Sequence, residues 1–305
     1  MKFGLIGHPI THSLSPALFK AGYDGIYPYE LIETDDFETA YGTFLKGFDG
    51  INVTAPFKEL AYAKADIHSE ECRMTGATNI LIKTPEGIKA HNSDYLGVRL
   101  WLQQTIHDLA ASGLRKSKRT PPTSWAPPPC GQGATRFSPS LRSEADEIGI
   151  CQTVLIVGTG GAGKAAAAAA ASLGLHCILM NRDMSKATRL GEDLNAKGCS
   201  TEVRPLCEFQ GCFRKADIII YNIPTAIPEL NQLTDTDFSE SAPKFILEAN
   251  YRNPSFSEEF IGKMSVSGAG VRYTGGKVWL LYQAMTGYEI FTGEKPDLIK
   301  MSAVL

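Results

Sequence analysis

The chain has no apolar stretch of the ~20 residues that a membrane-spanning helix needs. Its nearest approach, Ala165 to Leu175, is short and alanine-rich. The opening, MKFGLIGHPI, breaks at Gly7 and Pro9 and lacks the longer apolar segment and cleavage site of a secretory signal. Basic residues are not in excess: 30 Lys and Arg stand against 33 Asp and Glu, for a net charge of −3. That balance argues against a nucleic-acid or anionic-membrane partner. Cysteine is sparse, seven in all, odd in number and without a CxxC pair, so reduced thiols in a cytoplasmic protein are expected. The six histidines show no HExxH spacing, and no catalytic metal is expected. What the chain does have is 305 residues, 43% of them hydrophobic and 21% charged. That is the make-up of a globular protein with a real core, in one large domain or two ordinary ones.

Short apolar runs over Lys2 to Gly7, Phe48 to Val53, Thr78 to Lys83 and Ile88 to His91 predict strands, the last two joined by a turn at Pro85 to Gly87. Ser15-Pro16 predicts a helix start, with serine as the cap. Leu96 to Leu109 has helical periodicity. Residues 1–112 therefore read as a first α/β domain. From 113 to 150 the composition changes: PPTSWAPPPCGQG and its flanks carry no hydrophobic period. Such a segment buries too little apolar surface to offset its ordering entropy, so a loop or disordered proline-rich insert is expected, with Trp125 its one anchor candidate. Residues 151–275 then follow a βαβ rhythm, with strands at Val154 to Val157, His176 to Met180, Ala216 to Tyr221 and Phe245 to Glu248. That rhythm predicts a doubly wound parallel sheet of Rossmann type. A helix over Lys277 to Phe291 begins the closing segment, 276–305.

Gly158, Gly160 and Gly163 make a G-x-G-x-x-G match, with Gly161 and Ala162 inside the same turn. Alone the motif is weak; here it follows an apolar strand and opens a helix. The first glycine permits the tight turn, the second a close approach to a pyrophosphate, the third helix–strand packing. The helix N-terminus offers free N–H groups and the positive end of its dipole. The bland alternative is a strand-to-helix turn without a ligand. At the end of the next strand, where NAD enzymes usually carry an acid for the ribose 2′-hydroxyl, stand Asn181 and Arg182. A guanidinium suits a 2′-phosphate, and Lys186 adds charge one turn on, so NADP is favoured. Asp183 beside them would repel a phosphate unless it caps the following helix, which is the expectation here; it keeps NAD possible.

Four further segments carry uncharged hydrogen-bonding groups at strand ends or helix starts: HSLSP (His12 to Pro16), NVTAPFK (Asn52 to Lys58), GATN (Gly76 to Asn79) and HNSD (His91 to Asp94). Together with the glycine motif and Asn181-Arg182, this set and its order resemble the shikimate dehydrogenase family. The resemblance covers nearly the whole chain outside the insert. It implies that Ser13 and Ser15 hold a substrate carboxylate, that Thr54, Asn79 and Gln283 contact hydroxyls and carbonyl, and that Lys58 and Asp94 are the catalytic pair. Physically, a lysine ammonium beside a ketone oxygen stabilises developing negative charge and donates a proton, and a neighbouring carboxylate orients it. Taken singly, the two would read as a surface salt bridge worth ~0–1 kcal/mol.

The resemblance also implies NADPH-dependent, reversible reduction of 3-dehydroshikimate to shikimate in aromatic amino-acid biosynthesis, by a monomer or homodimer, in a cleft between two domains. Asn222, Gly276 and Tyr251 keep family positions, the first two on the cofactor side and the last on the substrate side. Val278 and Trp279 replace a glycine and a methionine near the nicotinamide, and Glu248-Ala249-Asn250-Tyr251 replaces an aspartate-led motif. The rival readings are an NAD-dependent quinate/shikimate dehydrogenase and a non-catalytic ligand sensor.

Overall fold

The computed structural model describes residues 1–111, 152–238, 244–266 and 271–305. The proline-rich segment 113–150, Trp125 included, lies outside the described residues. The chain divides into two compact units, residues 1–101 with 277–305, and residues 102–276.

The first unit is built on a mixed sheet. Its elements run β1 (Phe3–Gly7), α1 (Ser15–Gly22), β2 (Tyr29–Glu33), α2 (Phe37–Gly47), β3 (Gly50–Val53), α3 (Lys58–Lys64), β4 (Ile67–His68), α4 (Glu70–Thr75), β5 (Ile80–Thr84) and β6 (Gly87–His91), then α5 (Ser93–Ala111). The strand order is β2-β1-β3-β5-β6-β4. β1 is parallel to β2 and β3, while β5 runs antiparallel to β3 and β6. Successive side chains of a strand point to opposite faces, and both faces here are apolar. Ile6, Ile51, Val53 and Leu81 meet Phe37, Ala40 and Phe44 of α2 and Ala61 of α3. Phe3 and Ile80 turn the other way, onto Leu18 and Phe19 of α1. Ala284, Tyr288 and Phe291, from the last long helix, complete that second core.

The second unit continues with β7 (Thr153–Val157), α6 (Gly161–Ser172), β8 (His176–Met180), α7 (Met184–Ala196), β9 (Thr201–Arg204), α8 (Phe209–Lys215), β10 (Ile218–Tyr221), β11 (Lys244–Glu248), α9 (Glu258–Val266) and β12 (Val271–Thr274). The chain closes with α10 (Gly276–Thr292) and α11 (Leu298–Ser302). All five strand pairings are parallel, in the order β12-β11-β10-β7-β8-β9. This is the doubly wound arrangement, with its switch point between β7 and β10. Leu155, Val157, Ile178, Ile219 and Tyr221 pack on Phe209 and Phe213 of α8. The alternate residues Val154, Ile156, Leu179 and Ile220 are equally buried. Cys177, of that alternate set, lies against Ala167 of the alanine-rich α6. Ala165 to Ala170 are fully buried, because a helix of methyl groups sits flat on a sheet.

Two expectations are corrected. Ser15 is not the cap of α1: Leu14 occupies the N-cap, with no side-chain cap bond. Instead the Ser13 hydroxyl accepts from the Ser15 amide at 3.2 Å. Four strands, β2, β4, β9 and β12, stand where the sequence pattern predicted none.

The start of α5 is held by a buried polar network. Asn92 accepts from the Tyr95 amide at 3.1 Å and so caps the helix. Its own Nδ2 donates to Thr75 Oγ1 and the Ala77 carbonyl at 3.2 and 3.0 Å. Glu71 Oε1 accepts from the Asn92 amide and lies 3.0 Å from His91 Nδ1. Burial, the largest single effect, would raise the Glu71 carboxyl, but the bond from His91, further hydrogen bonds and the charge of His91 together outweigh it and hold the group below its ordinary 4.5. A carboxyl lowered by folding stabilises fully above its unfolded value and loses that contribution as pH falls through its folded value. Thermal melts between about pH 5 and pH 3 are therefore expected to fall less steeply for Glu71→Gln than for the wild type. Packing gives a second prediction. A Cβ at Gly50 would lie 2.7 Å from the Phe291 ring, itself stacked on Phe3. Gly50→Ala is expected to cost about 1–3 kcal/mol by overpacking, read as a lower melting temperature.

Candidate active site

Lys58 is the first residue of α3 and Asp94 the second of α5. The loop before Lys58 is pinned at both ends. The Thr54 amide donates to the Ile6 carbonyl at 3.0 Å, and Phe57 is buried against Phe37. The Lys58 carbonyl accepts from the Thr78 amide at 3.1 Å, which ties α3 to the GATN segment. From these two anchored helix starts the side chains meet: Lys58 Nζ donates to Asp94 Oδ2 at 2.5 Å. The ammonium side chain is 21% exposed and the carboxylate 9%. Shielding of this kind reduces solvent screening of the pair. The first turn of a helix also favours the negative charge of Asp94. The geometry presents a cation, oriented by a buried anion, with the lysine as the accessible member.

The substrate-side candidates gather in the same unit with one exception. Ser13 and Ser15 are half-buried, and their hydroxyl oxygens stand 3.1 Å apart. The Tyr288 hydroxyl donates to the Ser15 carbonyl at 3.0 Å and fixes that turn. Thr54 is half-buried after β3, and its methyl packs on Gly7, where a Cβ would collide at 2.3 Å. Asn79 is committed to the fold. Its Oδ1 accepts from the Ser93 amide at 2.7 Å, and its Nδ2 donates to Ser93 Oγ at 3.0 Å. Asn52 is likewise engaged, accepting from Tyr29 at 2.7 Å. Gln283 sits half-buried on α10, whose backbone comes so close to α5 that a Cβ at Gly97 would lie 2.7 Å from the Gln283 amide. Tyr251 belongs to the second unit, in the turn after β11, with the Arg252 guanidinium 5.7 Å over its ring.

In the second unit the glycine motif lies at the switch point. Gly158 follows β7 with φ +93°, a conformation that favours glycine. A Cβ at Gly163 would fall 1.9 Å from the Gly158 carbonyl, so only glycine closes the loop onto α6. A Cβ at Gly160 would meet nothing within 4 Å, and no side chain caps α6. The amides of Gly161, Ala162 and Gly163 thus head a helix that no side chain caps. Asn222 follows β10, the strand beside β7, and packs against Gly158 and Gly163. Its buried Oδ1 has no hydrogen-bond partner among the described residues. An uncapped helix start, a glycine opening and an orphaned amide oxygen fit a dinucleotide's phosphates and polar edge.

At the end of β8, Asn181 Nδ2 donates to Thr159 Oγ1 at 2.6 Å and ties this corner to the glycine loop. Asp183 caps α7, accepting from the Ser185 and Lys186 amides at 3.1 and 3.3 Å. The Ser185 hydroxyl bond leads in holding its carboxyl below the ordinary range. Arg182 is exposed, and Lys186 Nζ lies 3.8 Å from Asp183 in an open surface pair. Gly276 fits against the end of β11, where a Cβ would meet the Ala249 carbonyl at 2.2 Å.

Two residues play roles that the sequence pattern did not reveal. Glu248 is fully buried and accepts from the Ser255 and Phe256 amides and from the Tyr273 hydroxyl, so it folds the β11 turn inward. Trp279, expected beside a nicotinamide, is 4% exposed, and its indole N–H donates to the Asp94 carbonyl at 3.1 Å. Among the described residues no group of three or more His, Cys, Asp or Glu is placed to hold a metal ion.

Comparison with known proteins assigns the family. Residues 5–81 match the model of the shikimate dehydrogenase substrate binding domain, and residues 144–246 that of shikimate / quinate 5-dehydrogenase. The shikimate dehydrogenase (NADP(+)) of Carboxydothermus hydrogenoformans is 25% identical over 309 residues, 99% of this chain and 95% of its own. The crystal structure of Mycobacterium tuberculosis shikimate dehydrogenase, 25% identical, superposes with a TM-score of 0.70 over 99% of this chain and 97% of its own. A quinate dehydrogenase from Corynebacterium glutamicum in complex with NAD, 21% identical, shares the fold with a TM-score of 0.74 over 100% and 98%. The two family models span more than half of the chain, and it belongs to the shikimate dehydrogenase family.

Proposed function

We propose that this chain is an NADP-dependent shikimate dehydrogenase, an oxidoreductase that interconverts 3-dehydroshikimate and shikimate in aromatic amino-acid biosynthesis. In this reading residues 1–112 and the closing segment 276–305 bind the substrate, and residues 151–275 bind NADP. The observation that carries it is the 2.5 Å contact of Lys58 with Asp94. A ligand sensor needs no such proton-handling pair. Cytoplasmic residence accords with the five described cysteines being free thiols.

Bound NADPH supplies the hydride for ketone reduction. Ser13 and Ser15 offer two hydroxyls to the substrate carboxylate. Thr54, Asn79, Gln283 and Tyr251 contact its hydroxyls and carbonyl, and Asn79 also braces Ser93 beside Asp94. The Lys58 ammonium faces the carbonyl oxygen, stabilises the charge that develops on it, and supplies or relays the proton. Asp94 holds that ammonium in place and hydrogen-bonds the hydroxyl formed. On the cofactor side, Gly158, Gly160, Gly161, Ala162 and Gly163 shape the phosphate turn, with Asn222 and Gly276 lining it. Asn181 braces the corner from which Arg182 and Lys186 meet the 2′-phosphate. Asp183 commits Oδ1 to the α7 cap, and its Oδ2, 3.8 Å from Lys186 Nζ, keeps NAD as the alternative cofactor.

Lys58→Ala is expected to lower kcat by about 10²–10⁴-fold with a much smaller change in KM, because the lysine acts mainly in the transition state. Initial rates at the NADPH absorbance band check this, and a kcat near wild type would refute the assignment. Arg182→Ala is expected to raise the KM for NADP by about 10–100-fold, the worth of charge-assisted bonds to a phosphate. The KM for NAD should stay nearly unchanged. Equal effects on both cofactors would remove Arg182 from the 2′-phosphate site.

A further inference from the structure

The indole of Trp279 makes a contact that the reaction as described does not use. It sits in the first turn of α10 and is 4% exposed. Its Nε1–H donates to the backbone carbonyl of Asp94 at 3.1 Å, in a buried setting. That carbonyl is also one that a helix engages through its own N–H four residues on, so the indole adds a second donor from another element.

We propose that Trp279 is a positioning residue for the Lys58–Asp94 pair, acting through the Asp94 backbone; this rests on the shikimate dehydrogenase reading. Asp94 is braced on several sides. Asn92 caps its helix, and Asn79 grips the Ser93 amide. Gly287 lets α10 close onto Ser93, where a Cβ would lie 3.1 Å from the Ser93 hydroxyl. Gly97 lets the same helix close onto α5 at Gln283. Trp279 and Gln283 are four residues apart, on one face of α10. The helix thus presents a substrate-facing amide and, one turn earlier, a donor that fixes the backbone of the residue orienting Lys58. A buried carbonyl bond of this kind restrains the backbone of Asp94, and a misplacement of about 1 Å at a reacting group lowers rates by about 10²-fold.

The test is a double-mutant cycle. In the wild-type background, Trp279→Phe keeps an aromatic ring and deletes the donor. It is expected to lower kcat about tenfold while the KM for shikimate moves by less than about twofold. In an Asp94→Asn background the same substitution should lower kcat no further, since its effect passes through Asp94. An unchanged kcat in the first background, or an equal loss in both, overturns the proposal. If Trp279→Phe does not fold, 3-benzothienylalanine at this position keeps the bicyclic shape and lacks the N–H. An NMR arm separates this inference from the reaction assignment. The indole N–H resonance lost in the Trp279 variant should exchange slowly with solvent and shift in Asp94→Asn. Fast exchange overturns the proposal even in an active enzyme. Slow exchange and a shifted resonance in a chain that does not oxidise shikimate uphold the contact and sink the reaction assignment instead.

Discussion

Lys58 Nζ and Asp94 Oδ2 meet at 2.5 Å only because two helices begin in fixed places. A lysine has four side-chain torsions and loses that freedom when held. The surrounding structure restricts the freedom of both partners before they meet. On the Lys58 side, Phe57 is locked under Phe37, and the Lys58 carbonyl is tied to the Thr78 amide. On the Asp94 side, Asn92, Asn79 and Trp279 each hold a different backbone atom of the α5 start. Glu71 and His91 then hold Asn92 from behind. Much of the polar interior of the first unit thus serves to place one carboxylate.

The second unit solves a different problem, how to leave polar groups unsatisfied without unfolding. Helix α6 starts with no side-chain cap, and Asn222 keeps a buried oxygen without a partner among the described residues. Both are costs that a ligand rich in phosphate and polar edges offsets. The alanine-rich α6, flat on the parallel sheet, supplies apolar burial that supports them. At the far corner, Asp183 caps α7 through Oδ1 while its carboxylate stays charged beside Lys186. Arg182 and Lys186 are left as the local basic charges.

The parts of the fold that were legible in sequence are the buried ones. All eight strands read from hydrophobic patterning correspond to strands in the structure, and six of them carry mostly buried residues. The four that went unread, β2, β4, β9 and β12, are the four sheet edges. Edge strands are half solvated and tolerate charge. Sequences such as YELIE and TEVR accordingly lack a clean apolar period. The site followed a similar rule. Lys58, Asp94 and the glycine turn were visible because their chemistry constrains residue type. Glu71 was not singled out, Asn92 was read only as part of HNSD, and Trp279 was read as a neighbour of the nicotinamide, because their work is done by bonds to backbone atoms, which leave no motif.

The central claim, that Lys58 and Asp94 act as one unit on the proton of the reaction, is tested most directly by initial rates of NADPH formation from shikimate and NADP. The enzymes to compare are the wild type, Lys58→Met, Asp94→Asn and the double variant. Groups that act together are strongly non-additive. The account predicts a large loss of kcat in each single variant and almost no further loss in the double. Losses that multiply, or a single variant that turns over like the wild type, would contradict it.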